Sequence, residues 1–270
     1  MEDAIREFII KIRKQKRIRK NKTIPLRFLK YAAILILTLG LPLSYYIGTR
    51  SVEPNISMTT LSCAYGDKAT VILPDGSEVW LNSGSKITFN ADFKNVERKV
   101  FLEGEAFFSV YKDRNHPFQV KTKDIDIEVL GTTFNVKAFP EENSTSTTLV
   151  SGSLMISSPF EKIRIKPDQK VVFSKESKKM VLTQSKDLSE DIEWKNGRLV
   201  FRDKTLNELI PNLKRWFDVE FVFADEKVKQ RRFTGVLERE SIQDVVYFIN
   251  VSKYVSCHFS GNKIIIESEN

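Results

Sequence analysis

The arrangement of apolar and polar positions changes character four times along the chain. Ile5, Phe8, Ile9 and Ile12 fall at i, i+3, i+4 and i+7, which puts them on one stripe of a short helix. Residues 31–49 then run for nineteen positions without a charge. As a helix this run rises about 28 Å, close to the thickness of a bilayer core. Tyr31, Tyr45 and Tyr46 lie at its ends, where an interfacial aromatic belt is expected, and Gly40 and Pro42 weaken its middle. Residues 50–65 show no period, contain Pro54 and read as a linker.

From residue 66 to 175 the period is two. Thr70–Leu73, Glu78–Leu81, Lys99–Leu102, Ala106–Val110, Phe118–Thr122, Ile125–Val129, Thr133–Ala138, Thr147–Val150, Lys162–Lys166 and Val171–Phe173 read as strands. Pro74-Asp-Gly76, Asn82-Ser-Gly84, Asn115-His-Pro117 and Pro167-Asp168 mark turns between them. The expected fold is all-β, a sandwich, barrel or short solenoid. Val100-Phe-Leu-Glu-Gly-Glu-Ala-Phe107 echoes Thr148-Leu-Val-Ser-Gly-Ser-Leu-Met155, and both suggest a glycine inside a strand where a second backbone passes close.

Residues 176–197 are charged and read as a second linker. Residues 198–268 mix both periods. Strands are expected at Arg198–Arg202, Val219–Phe223, Arg232–Leu237, Val255–Phe259 and Lys263–Glu267. One helix is expected over Thr205–Phe217, capped by Asp203 or Thr205 and bent or delayed by Pro211. A second helix follows Ser241. This is a βαβ-βαββ order, read as a small α+β layer with both helices on one sheet face.

Charge sharpens the division. Residues 1–30 hold eleven Lys/Arg and three Asp/Glu, whereas the remaining 240 residues hold 32 of each sign. The chain is a neutral protein with a basic N-terminal tag. By the positive-inside rule the tag stays in the cytoplasm, residues 31–49 cross the membrane once, and the rest lies outside. The tag suits anionic lipid headgroups or a cytoplasmic protein partner better than nucleic acid.

The chemistry expected of an enzyme is missing from the sequence. It contains no phosphate-binding glycine loop, no GxSxG and no HExxH, and its two histidines, His116 and His258, lie far apart. No catalytic, cofactor or metal residue is assigned. Cys63 and Cys257 form no CxxC, and whether they pair is open. A cytoplasmic tip, one span and two exported modules suggest transmission of a signal. Small sheets offer edges to partners, and Val219, Phe221 and Phe223 or Phe233 and Val236 are the edge residues expected to bind one. A membrane-anchored glycan- or wall-binding protein is the alternative, with Trp80 and Trp194 as its candidate exposed aromatics.

Several stretches resemble a known family. Thr70-Val-Ile-Leu-Pro-Asp-Gly-Ser-Glu-Val-Trp-Leu-Asn-Ser-Gly-Ser-Lys-Ile87 is similar to the opening of the FecR domain. Val100-Phe-Leu-Glu-Gly-Glu-Ala-Phe-Phe-Ser-Val110, His116-Pro-Phe-Gln-Val120, Ile127-Glu-Val-Leu-Gly-Thr-Thr-Phe-Asn-Val136 and Leu149-Val-Ser-Gly-Ser-Leu154 continue the match. Trp194-Lys-Asn-Gly-Arg-Leu-Val-Phe201, Leu206 and Arg215-Trp-Phe217 look like the family's C-terminal, STN-like domain. The resemblance implies an anti-sigma factor of the bacterial inner membrane, with an extracytoplasmic-function sigma factor as cytoplasmic partner. It also implies the signalling domain of a TonB-dependent outer-membrane receptor as periplasmic partner, and regulated cleavage by a site-1 and an intramembrane protease. It implies a β-solenoid-like domain followed by the β-α-β module. Such proteins usually carry a longer helical region before the anchor, and residues 1–30 resemble the last part of it. Ile5, Phe8, Ile9 and Ile12 are the sigma-facing candidates.

Overall fold

The structure, a computed structural model, describes residues 30–31, 34–50, 58–93, 97–185, 187–238, 241–251 and 254–269. The chain divides into two units, residues 1–55 and 56–270. In the first, a π-helical turn at Ile36–Gly40 leads into α1 (Leu41–Arg50). Pro42 has no N–H to return to the preceding turn, and the helix widens just before it. Ile34, Leu35, Ile36, Leu37, Leu39, Leu41 and Leu43 are all exposed, so this helix is apolar on every side. No helix among the described residues is long and apolar enough to cross a membrane.

The second unit begins with a β lobe of thirteen strands: β1 (Met58–Ser62), β2 (Ala69–Ile72), β3 (Glu78–Leu81), β4 (Lys86–Asn90), β5 (Arg98–Ser109), β6 (Phe118–Lys121), β7 (Asp126–Val129), β8 (Thr133–Ala138), β9 (Ser144–Ser151), β10 (Leu154–Ser157), β11 (Lys162–Ile165), β12 (Gln169–Ser174) and β13 (Met180–Gln184). They form one curled sheet that works as two layers sharing β5. The N-terminal half of β5 pairs with β4 and β6, in a layer ordered β1-β4-β5-β6-β7-β10-β11. Its C-terminal half pairs with β3 and β8, in a layer ordered β2-β3-β5-β8-β9-β12-β13. All these pairings are antiparallel except β5–β6. A solenoid would stack parallel coils, so the lobe is sandwich-like.

The layers enclose one core. Phe108 of the second layer stacks on Phe134, with centroids 5.0 Å apart, and meets Phe118 of the first edge-on at 6.3 Å. The chain passes between layers at Gly84, Gly104, Gly131 and Gly152, each with positive φ. At Gly104 the requirement is also spatial, because a Cβ there would stand 2.7 Å from the Ser85 backbone. The two echoed glycines thus mark corners. Gly104 lies within a strand as expected, but Gly152 lies between β9 and β10.

Both expected linkers differ in detail. Met58–Ser62 pairs with β4, and Cys63 is buried in the core. Met180–Gln184 pairs with β12, and Trp194 is buried. Met58–Ser62 spaces its two apolar residues three apart and Met180–Gln184 places three together, so neither alternates as a strand should. A neighbour's backbone supplies the pairing.

The C-terminal lobe follows α2 (Ser189–Ile192) and a 3₁₀ turn at Glu193–Asn196. Its elements are β14 (Arg198–Thr205), α3 (Leu206–Phe217), β15 (Glu220–Phe223), β16 (Arg232–Glu238), α4 (Ile242–Asn250), β17 (Val255–Ser260) and β18 (Lys263–Ser268). The expected order is present, but the single sheet is not. β14 pairs with β16, while β15, β18 and β17 form a separate sheet. Both sheets and both helices share one core, which includes Phe201, Leu213, Phe233, Ile249, Val255 and Ile264. One helix face is too narrow to explain this. Phe248 of α4 packs on Phe201 and Phe233 of the two-stranded sheet, while Val245 and Ile249 are buried in the same core. Thr205 caps α3 in a capping box with Glu208, and Ser241 does the same for α4 with Asp244. The helix starts at Leu206 regardless of Pro211.

Candidate functional site at the junction of the two lobes

The outer face of the second layer is not a solvated face. Register places Trp80, Phe107, Asn135, Thr148 and Lys170 side by side across five strands. Glu105, Lys137 and Ser146 form the next row. Residues 189–196 lie over these rows. The Asp191 carboxylate accepts from Thr148 Oγ1 at 2.9 Å and from Lys170 Nζ at 2.6 Å. The Trp194 indole, 3% exposed, donates to Asn135 Oδ1 at 3.2 Å. The Lys195 ammonium sits over the Phe107 and Trp80 rings.

Beneath Trp194 lies a buried carboxylate. Glu105 accepts from Asn82 Nδ2 at 2.8 Å and from Asn135 Nδ2 at 2.9 Å, one amide to each oxygen. The two amides cannot turn round, since Asn82 Oδ1 accepts from the Ser83 N–H and Asn135 Oδ1 from Trp194. Two fixed donors on two oxygens suit the ionised carboxylate. Burial pushes the Glu105 carboxyl above the usual range, opposed by the Lys137 ammonium and by the two amides.

The second contact comes from α3. Arg215, 5% exposed, pairs with Glu141 at 2.9 Å and Glu142 at 2.5 Å, donates to Asn212 Oδ1 at 2.9 Å, and stacks on Phe139 with its guanidinium 3.7 Å from the ring centroid. Its carbonyl accepts from the Gly66 N–H at 2.8 Å. Lys137 reaches Glu142 at 3.0 Å and Asn212 Oδ1 at 3.1 Å. Lys68 stands 3.4 Å above the Trp216 ring, and burial lowers its pKa. Between the two contacts lies a cleft of about 500 Å³, lined by Glu105, Lys137, Glu142, Asp191, Trp194 and Arg215 among others. Its charged side chains have their partners within the chain, so it is built as a joint between lobes.

The expected site residues that the structure describes lie elsewhere. Ile5, Phe8, Ile9 and Ile12 are outside the described residues. Val219, Phe221 and Phe223 are half-buried against the C-terminal core, and β15 pairs only with β18 among the described strands. Phe233 is buried and Val236 exposed on β16, which among the described strands pairs only with β14. The two sets lie on different sheets and do not converge. Cys63 and Cys257 are both free and buried, each in its own lobe's core, and burial pushes the Cys257 thiol up to about 12. Among the described residues no group of three or more His, Cys, Asp or Glu could hold a metal ion. Trp80 is half-buried and meets Phe107 edge-on at 5.6 Å, so neither it nor Trp194 belongs to an exposed aromatic cluster.

Periodicity alone did not find Glu105, Asn135 or Arg215, because all three occupy positions that look solvent-facing in an alternating strand or an amphipathic helix. The motifs did contain them. Asn82, Glu105, Asn135, Trp194 and Arg215, scattered over 134 positions of the quoted stretches, meet at this junction.

The FecR protein profile matches residues 59–155, and the profile for the C-terminal FecR domain matches residues 198–266, together more than half of the chain. The chain belongs to the FecR family. Two crystal structures of a proposed anti-sigma factor from Parabacteroides distasonis ATCC 8503, at 1.65 and 2.50 Å resolution, are similar to it. Each is 27% identical with a TM-score of 0.73, and the alignments cover 78% and 79% of this chain and all of the other. No curated protein sequence matches the chain. FecR-family anti-sigma factors are regulators rather than enzymes, and an anti-sigma, signal-transducing role is what this membership supports.

Proposed function

We propose that the chain is an inner-membrane anti-sigma factor that relays the state of an outer-membrane TonB-dependent receptor to an extracytoplasmic-function sigma factor. Residues 1–30 engage the sigma factor in the cytoplasm through Ile5, Phe8, Ile9 and Ile12. Residues 31–49 cross the bilayer once, and residues 50–270 stand in the periplasm. The observation that carries this reading is one combination. Two FecR matches follow an uncharged run of nineteen residues, with eleven cations on its N-terminal side.

The receptor's signalling domain adds a strand to the C-terminal lobe at β15 or β16, next to Val219, Phe221 and Phe223 or Phe233 and Val236. Open edges of two short sheets support this. Cleavage by a site-1 protease and then by an intramembrane protease transmits the signal. The π turn before Pro42 is where the helix is weakest and where the second cut falls.

Co-purification of the full chain with the cognate receptor domain tests the periplasmic half, and with the cognate sigma factor the cytoplasmic half. Binding of neither sinks the proposal. Binding of the sigma factor alone removes the receptor relay. Replacing Gly40 and Pro42 with Leu slows the intramembrane cut, and an unchanged rate removes that step.

A further inference from the structure

We infer that the C-terminal lobe docks reversibly on the β lobe, held by a charge latch at Arg215 and swinging about the segment 189–196. This inference concerns the lobes alone and does not depend on the receptor or sigma-factor reading.

The first argument is the kind of contact. The two lobes keep separate apolar cores, and no residue belongs to both. The contacts between them are ion pairs, hydrogen bonds and cations over rings, beside a cleft of about 500 Å³. Polar interfaces between lobes are the kind expected to open, whereas a merged core is not.

The second argument is the asymmetry of the two contacts. At α3, charge dominates: Arg215 on Glu141 and Glu142, Lys137 on Asn212, and Lys68 over Trp216. Glu141 is half-exposed, so water and salt reach the outer carboxylate at this end, while Glu142 is mostly covered. At residues 189–196 the contact includes a neutral buried indole, and the segment is tied to both lobes. Asp191 holds Thr148 and Lys170 of the β lobe, while Glu190 and Glu193 hold Lys204 and Arg198 of β14. A segment fixed on both sides is a pivot, and the screened end is the latch.

The consequence is an element with two positions. Closed, it covers Lys137, Glu142 and the C-terminal end of α3; open, it returns these charges to water. Any event that binds the open or the closed form preferentially shifts the balance.

Amide hydrogen exchange on the full chain tests the inference. Raising salt from about 50 to 500 mM, or replacing Arg215 with Ala, is expected to speed exchange about tenfold or more at residues 64–68, 139–143 and 212–218. β5, β6 and α4 should keep their protection, and Arg215→Lys should fall between wild type and Arg215→Ala.

A disulfide supplies the reverse experiment. A Cβ at Gly66 would lie 3.8 Å from that of Asp218, the usual separation in a bridge. Oxidised Gly66→Cys/Asp218→Cys should lose the salt response, and its own reduced form, which carries the same strain at Gly66, should keep it. Peptide mapping identifies the bridge against the native Cys63 and Cys257. Three results overturn the inference: no response of the three segments to salt or to Arg215→Ala, simultaneous loss of protection in both cores, or a salt response that persists in the bridged form.

Discussion

The two outer faces of the β lobe are built from the same alternation and end in different environments. On the first layer, Thr88, Phe101, Lys121, Asp126, Ser157 and Lys162 stand in one cross-strand row. Phe101 is exposed, and Lys121 and Asp126 pair with each other while part-exposed. On the second layer, Phe107, Glu105 and Asn135 are buried beneath residues 189–196. The difference teaches that alternation reports only which side of a strand faces the core. Whether the other side meets water or another lobe depends on polar groups whose hydrogen bonds close within the protein.

Mutations can sharpen that contrast. The largest effect belongs to neither outer face. Phe134→Ala removes a fully buried ring that stacks on Phe108, and a loss of about 3–5 kcal/mol is expected in urea denaturation. Next is the covered face. Trp194→Phe keeps an aromatic ring but a smaller one, and strands Asn135 Oδ1; the lost hydrogen bond alone should cost about 1–2 kcal/mol. An equal cost for Gln119→Ala on the open face would break the comparison. Thr205→Ala, which removes the α3 cap, should cost about 1 kcal/mol and leave protection in β5 and β6 unchanged.

The pH dependence gives a smaller and directional test. Burial raises the Glu105 carboxyl in the folded state above its unfolded value, so the folded state holds that proton more tightly. Its contribution is present at low pH and fades as pH rises through the folded pKa. The melting temperature of wild type minus that of Glu105→Gln should therefore fall as pH rises from about 4 to 8. A difference that grows with pH would mean that Lys137 and the two amides outweigh burial. The smallest effect is expected on the open face, where Gln119→Ala should stay within about 0.5 kcal/mol.

Much of this fold was legible in the sequence. Strand positions, both helices of the C-terminal lobe and the Ser241 cap follow from period, β-branching and turn residues. Lys99–Leu102 and Ala106–Val110 read as two strands because Gly104 interrupts them. In the structure they are one strand, because the glycine lets it bend from one layer into the other. β4 was missed although Ile87 and Phe89 alternate with Lys86 and Thr88, since it follows a turn with no second signal. The second sheet of the C-terminal lobe was not legible, because strand order does not say which strands pair. The junction was the least legible part. Glu105 and Arg215 are charged residues in positions where charge is ordinary. Only the partners brought in from 30 and 74 residues away make them buried.

The strand β5 carries a consequence for how such a protein can be rearranged through descent. A deletion that removed either half of β5 would strip neighbours from two strands in that layer and leave the surviving layer with half of its core. The β lobe must therefore be inherited whole. The C-terminal lobe, with its own core and a polar seam, gives up only its seam contacts where it parts from the β lobe.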